Sequence, residues 1–148
     1  MKKLILLFLL SAISLQCRSN DDADTHLNID RVMYLYVKDA SGQNLIGTPN
    51  YSNESIKVSY IEPASQPYEN NFEIIADQNG NKFLKLFMNS GDKNSLSAKT
   101  LIKWNDAEQD TLTAEFSKGV NYVILDKVYL GTEVICPDRA HMTGTVIK

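Results

Sequence analysis

The chain has 148 residues, enough for one domain, and its 43% hydrophobic and 22% charged content sits near the globular average, which excludes a collagenous or wholly disordered chain. Two histidines and two cysteines leave little for a multi-ligand zinc site, and a pI of 5.3 argues against an electrostatic nucleic-acid binder. The chain opens with Lys2 and Lys3, an apolar run from Leu4 to Leu10, and a small-residue stretch over Ser11–Ser14. That order predicts a secretory signal over residues 1–16, too short in its apolar part to span a membrane.

Ser14-Leu15-Gln16-Cys17 resembles a bacterial lipobox in the looser form seen in Bacteroidota, since the commoner pattern has leucine three residues before the cysteine and glycine or alanine just before it. The resemblance implies lipidation of Cys17, cleavage before it, and attachment to a membrane through the N-terminal lipid. An ordinary signal with an incidental cysteine is the alternative. One acyl chain binds marginally and several anchor stably, so a folded part held this way needs no membrane-binding surface of its own. Lipidation would occupy the Cys17 sulfur and leave Cys136 as the remaining thiol, expected to be buried; an unmodified Cys17 could instead pair with Cys136.

Residues 17–28 read as a tether, acidic and polar through Asp21, Asp22 and Asp24, with His26 expected in solvent. The stretch also resembles the acidic export signal of surface lipoproteins in Bacteroidota. That likeness places the protein on the outer membrane, exposed at the cell surface, with the periplasmic face as the alternative. A plain linker is the other reading.

From residue 29 to 148 the apolar residues alternate, and no window carries a helical stripe. The pattern predicts a single all-β domain, an antiparallel β-sandwich of about seven to nine strands. Candidate strands are Val32–Lys38, Ser55–Ile61, Asn71–Ala76, Lys82–Met88, Lys99–Trp104, Asp110–Phe116, Tyr122–Leu130, Thr132–Ile135 and Met142–Ile147. Asn79-Gly80, Asn105–Gln109 and Leu130-Gly131 read as hairpin connections. Val32–Val37 and Phe83–Met88 are apolar or aromatic on both sides, as central strands are.

Tyr34–Ile46, Ile102–Thr111 and Lys127–Val134 resemble the opening strand, acidic hairpin and final hairpin of small Bacteroidota lipoproteins of unknown function. In that family an asparagine is usual where this chain has Leu130. The resemblance spans most of residues 17–136 and implies an immunoglobulin-like sandwich, without supplying a catalytic residue.

Asp106, Glu108 and Asp110 alternate, so an extended chain would put three carboxylates on one side as weak candidate calcium ligands; calcium needs six to eight oxygens, and a solvated acidic turn is the plainer reading. Asp77–Asn81 starts like an EF-hand loop but lacks its helices and final glutamate, and reads as a turn. Cys136 and His141 form at most a two-ligand fragment or a thiol beside a base. Tyr51 and Tyr68, set among asparagine and serine, form a candidate ligand surface for a protein or glycan. Tyr34, Tyr36, Tyr60 and Trp104 either join such a surface or pack in the core. Asp110-Thr111-Leu112 resembles an O-glycan acceptor motif, which would need Thr111 exposed. No local catalytic signature occurs, so a non-catalytic, envelope-anchored binding protein without a cofactor is the leading reading. A small hydrolase or calcium-dependent enzyme built on the acidic hairpin is the alternative from another class, and a structural subunit of an envelope complex is the third.

Overall fold

Period-two alternation is what a sheet with one buried face requires, and it organises the chain from residue 29 onward. The structure, a computed structural model, describes residues 27–63, 71–92, 94–140 and 142–148. The expected signal, Cys17, the tether up to His26, Tyr68 and His141 lie outside these residues. Among the described residues there are ten strands: β1 Asn28–Asp30, β2 Val32–Lys38, β3 Lys57–Glu62, β4 Phe72–Ala76, β5 Lys82–Phe87, β6 Ser97–Lys103, β7 Gln109–Gly119, β8 Tyr122–Leu130, β9 Glu133–Cys136 and β10 Thr143–Ile147. All nine candidate strands are found. The tenth, β1, exceeds the expected number and takes Asn28 out of the expected tether.

The strands form two sheets. The larger runs β3-β6-β7-β8, and the far edge of β8 is shared by two short strands: β1, parallel to Tyr122–Ile124, and β9, antiparallel to Val128–Leu130. The smaller sheet has the order β10-β2-β5-β4. The sandwich is antiparallel except at β1–β8 and β10–β2, which pair in parallel. As their composition requires, β2 and β5 are the central strands of the smaller sheet.

Inward residues of β2 and β5 (Met33, Leu35, Val37, Leu84 and Leu86) meet Ile102, Leu112 and Val128 from the larger sheet, all fully buried. Cys136 closes β9 inside this core, as expected, with its sulfur 3.7 Å from that of Met142. Burial, with Asp138 adding to it, pushes its thiol pKa up, away from the reactive thiolate.

The three expected hairpins form. At the β4–β5 turn Gly80 has φ +81°, a conformation that glycine adopts without steric penalty. An eleven-residue strand, β7, then fixes the long axis of the domain. One pole carries the β7–β8 turn and β1; the other carries the β4–β5, β6–β7 and β8–β9 connections.

Candidate functional site

Two loops of the second pole are built alike. In Asp39-Ala40-Ser41-Gly42-Gln43 and Asp77-Gln78-Asn79-Gly80-Asn81 the aspartate Oδ1 accepts the N–H groups two and four residues on, at 2.8 and 2.9 Å in each loop. The aspartate N–H donates to the carbonyl four residues later, at 2.9 Å in both, and the glycine takes φ +87° in one and +81° in the other. Asn44 Nδ2 donates to the Lys82 carbonyl at 2.7 Å and so locks the loops side by side. Hydrogen bonds from Ser41 and Gln43 hold the Asp39 carboxyl below its ordinary pKa, and those from Asn81 and Asn79 do the same for Asp77. The carboxylate of Asp77 thus serves its own turn, as the hairpin reading requires.

Beneath the neighbouring β6–β7 turn lies a polar and aromatic cluster. Trp104 is fully buried and donates from Nε1 to Asp110 Oδ2 at 2.6 Å. Lys148 Nζ donates to the same oxygen at 2.5 Å and lies 5.3 Å from the centre of the Trp104 ring. Tyr51 stacks at a tilt on Trp104, with centroids 5.8 Å apart, and its hydroxyl donates to Glu108 Oε2 at 2.6 Å. Asn105 Nδ2 donates to that oxygen at 3.1 Å.

Two expectations are corrected here. Tyr51 is not part of an exposed ligand surface: one turn of 3-10 helix over Pro49–Tyr51 directs it inward, and it is 6% exposed. Asp106, Glu108 and Asp110 do not converge on a cation. Glu108 and Asp110 are engaged by Tyr51, Asn105, Trp104 and Lys148, whereas Asp106 is exposed, and among the described residues no three histidine, cysteine, aspartate or glutamate side chains form a group able to hold a metal.

Burial and the Glu108 carboxylate push the Tyr51 phenol up to about 12, while hydrogen bonds from Tyr51 and Asn105 hold Glu108 below its ordinary value. A phenol that ionises later in the folded than in the unfolded chain stabilises the fold fully below about pH 10 and loses that contribution as pH climbs toward 12, a loss of roughly 2–3 kcal/mol. Glu108 works in the opposite sense, its contribution being present above the unfolded value and lost as pH falls through the folded one. Tyr51→Phe is expected to cost about 1–2 kcal/mol at neutral pH and to flatten the alkaline fall in stability, read from denaturant unfolding at a series of pH values.

At the surface of this pole an open depression is lined by Asn50, Asn105, Asp106, Ala107 and Glu108. A smaller recess, lined by Tyr36, Lys38, Gly42, Asn44 and Asn81, lies between the twin loops. It continues into an aromatic face on the outside of the smaller sheet. There Phe83 meets Tyr34 edge-on at 5.7 Å and Tyr36 at a tilt at 5.0 Å. The four aromatic residues weighed together in the sequence therefore divide. Trp104 and Tyr60 are core residues, and Tyr34 and Tyr36 stand on the outer face. No family model, curated protein or solved structure matches this chain.

The site thus offers ring faces, amide donors and acceptors, and the Lys38 cation, a set suited to holding a polar ligand by stacking and hydrogen bonding. Phe83 was not singled out by sequence reasoning, although the alternation Phe83, Lys85, Phe87 puts it on the face of Tyr34 and Tyr36. Asn81 and Asn105 stand in stretches that read as turns, and their amides join the site only in the fold. Thr111 faces outward from β7, half-buried and opposite Leu101 of β6.

Proposed function

We propose that the protein is a non-catalytic envelope lipoprotein, anchored through Cys17 to the outer membrane with its sandwich at the cell surface, that presents one pole to a protein or glycan. Kinship with small Bacteroidota lipoproteins and an immunoglobulin-like type of sandwich belong to the same proposal. One observation carries it: the chain enters the fold at β1, beside the β7–β8 turn, whereas the recesses and the twin loops gather at the opposite pole. At ~3.3 Å per residue, the eleven residues of β7 separate the two poles by roughly 35 Å. An anchor at one end therefore leaves the other facing outward.

Cys17→Ala is expected to abolish fatty-acid labelling completely and to retain a precursor that still carries residues 1–16, and globomycin should reproduce this in the parent protein. Unchanged processing and labelling would overturn the anchor. For the binding pole, affinity electrophoresis through gels of soluble polysaccharides, with crosslinking on intact cells for protein partners, is expected to show retention or adducts that Tyr36→Ala reduces. Equal behaviour of the variant would remove the pole from the proposal.

A further inference from the structure

The entry pole has a composition of its own. β1 lies in parallel register with the start of β8, Asn28 opposite Tyr122 and Ile29 opposite Val123, and the Asn28 N–H donates to the Asn121 carbonyl at 2.8 Å. This pairing brings Leu27 and Ile29 alongside the β7–β8 turn. Val120 in that turn is 95% exposed, Leu27 and Ile29 are each 52% exposed, and Tyr122 is 41% exposed. The Tyr122 ring lies against Gly119, so close that a Cβ built there would fall 2.3 Å from a ring carbon. The ring is therefore held at the tip.

None of this helps the turn to form. Tight hairpin turns favour glycine, asparagine and aspartate, and a β-branched residue in one contributes neither backbone freedom nor, at this exposure, core burial. The register sets Leu27 and Ile29 on the face of Val123, and Tyr122 with Asn28 on the other, so that, with Val120 in the turn itself, apolar side chains clothe this tip on both faces. A tip so clothed has an affinity for something less polar than water. What meets that corner follows from the length of chain before it. Cys17 and Leu27 are ten residues apart, and such a segment spans at most about 35 Å however it is arranged.

We propose that the corner formed by Leu27, Ile29, Val120 and Tyr122 seats in the interfacial layer of the bilayer that holds the Cys17 lipid. This rests on the lipid-anchor reading and changes one part of it, since the folded domain then makes a membrane contact of its own. Few side chains are involved, so the contact is weak alone and gains its occupancy from the local concentration that the anchor imposes. Tyrosine suits the headgroup level, where its ring is buried and its hydroxyl stays wet. The seating would stand the long axis upright and turn the recessed pole away from the membrane.

The test uses the full-length lipoprotein, purified after processing and reconstituted in vesicles of phosphatidylethanolamine and phosphatidylglycerol with plain or brominated acyl chains. Asn121→Trp places a reporter in the turn, and Ala107→Trp places one at the far pole. Brominated chains are expected to lower the emission of the Asn121→Trp protein about twofold, to leave the Ala107→Trp protein unchanged, and to lose their effect when Val120→Asp is added to the first. Mass spectrometry of the mature N-terminus reports the lipid separately. A lipid-bearing protein whose Asn121→Trp reporter is unquenched overturns the seating and leaves the anchor standing, whereas a protein without lipid overturns both. Quenching at both poles, quenching that survives Val120→Asp, or a reporter shift that depends on protein concentration and not on lipid, as pairing with a second copy would give, also overturns it.

Discussion

Trp104→Ala is expected to lower the stability of the domain by about 3–5 kcal/mol, and its melting temperature by about 10–20 °C. The indole is completely enclosed, so truncation leaves a cavity that Tyr51 and Lys148, held by their own hydrogen bonds to Glu108 and Asp110, are poorly placed to fill. It also removes the donor that Asp110 receives at 2.6 Å, leaving Lys148 as the partner of that oxygen. Against a total of about 5–15 kcal/mol for an ordinary domain, this is a large fraction. Trp104→Phe keeps one six-membered ring but loses the N–H and the rest of the fused ring, and should cost about 2–3 kcal/mol. Thermal and urea unfolding of the two variants ranks the losses. A Trp104→Ala protein that melts within a few degrees of the parent would mean that the aromatic cluster does not hold this pole together.

Asn89→Ala is expected to cost about 2–4 kcal/mol. Asn89 is fully buried just after β5, where the chain leaves the smaller sheet for the larger. Its Nδ2 lies within hydrogen-bonding distance of the carbonyls of Glu62 at 3.2 Å, Pro63 at 2.9 Å and Lys99 at 3.1 Å, and its Oδ1 accepts the Gly91 N–H at 3.0 Å. Its own N–H donates to Thr100 Oγ1, also buried, at 3.0 Å. Alanine removes the amide that satisfies this convergence of backbone groups, and nothing else of that shape replaces it. Asn89→Asp has nearly the same size and turns a donor toward three carbonyl oxygens into an acceptor. It should be at least as damaging at neutral pH and recover in part on mild acidification, when a protonated carboxyl can donate again. Guanidinium unfolding at the two pH values reads this directly. Equal stabilities for parent and alanine variant would show that the crossing does not depend on the side chain.

Strand pattern was legible along the chain because each strand shows one face to the core, and alternation survives translation into a linear string. Asn79-Gly80 and Leu130-Gly131 were legible for a different reason, since the chemistry of a tight turn is local. β1 was not: three residues with a single apolar member, Ile29, carry no periodicity, and what makes them a strand is the edge of β8 far along the chain. Tyr51 escaped for the same reason. Its neighbours Asn50 and Ser52 are those of a surface loop, and its burial depends on Glu108 and Trp104, which reach it only in the fold. Asp106, Glu108 and Asp110 were read as alike because spacing is all a sequence shows. Their partners make them different, one in water and two enclosed by donors.

The parallel pairing of β10 with β2 has a consequence for the order of assembly. Tyr34 and Thr143 become neighbours only after the whole intervening chain has been accounted for, about a hundred residues, and contacts of such separation form late and slowly. A polypeptide delivered in sequence order, from a ribosome or through a narrow pore, must wait with Tyr34–Lys38 lacking one neighbour until Thr143–Ile147 arrives. The smaller sheet is therefore complete only when this last strand docks on the edge of β2.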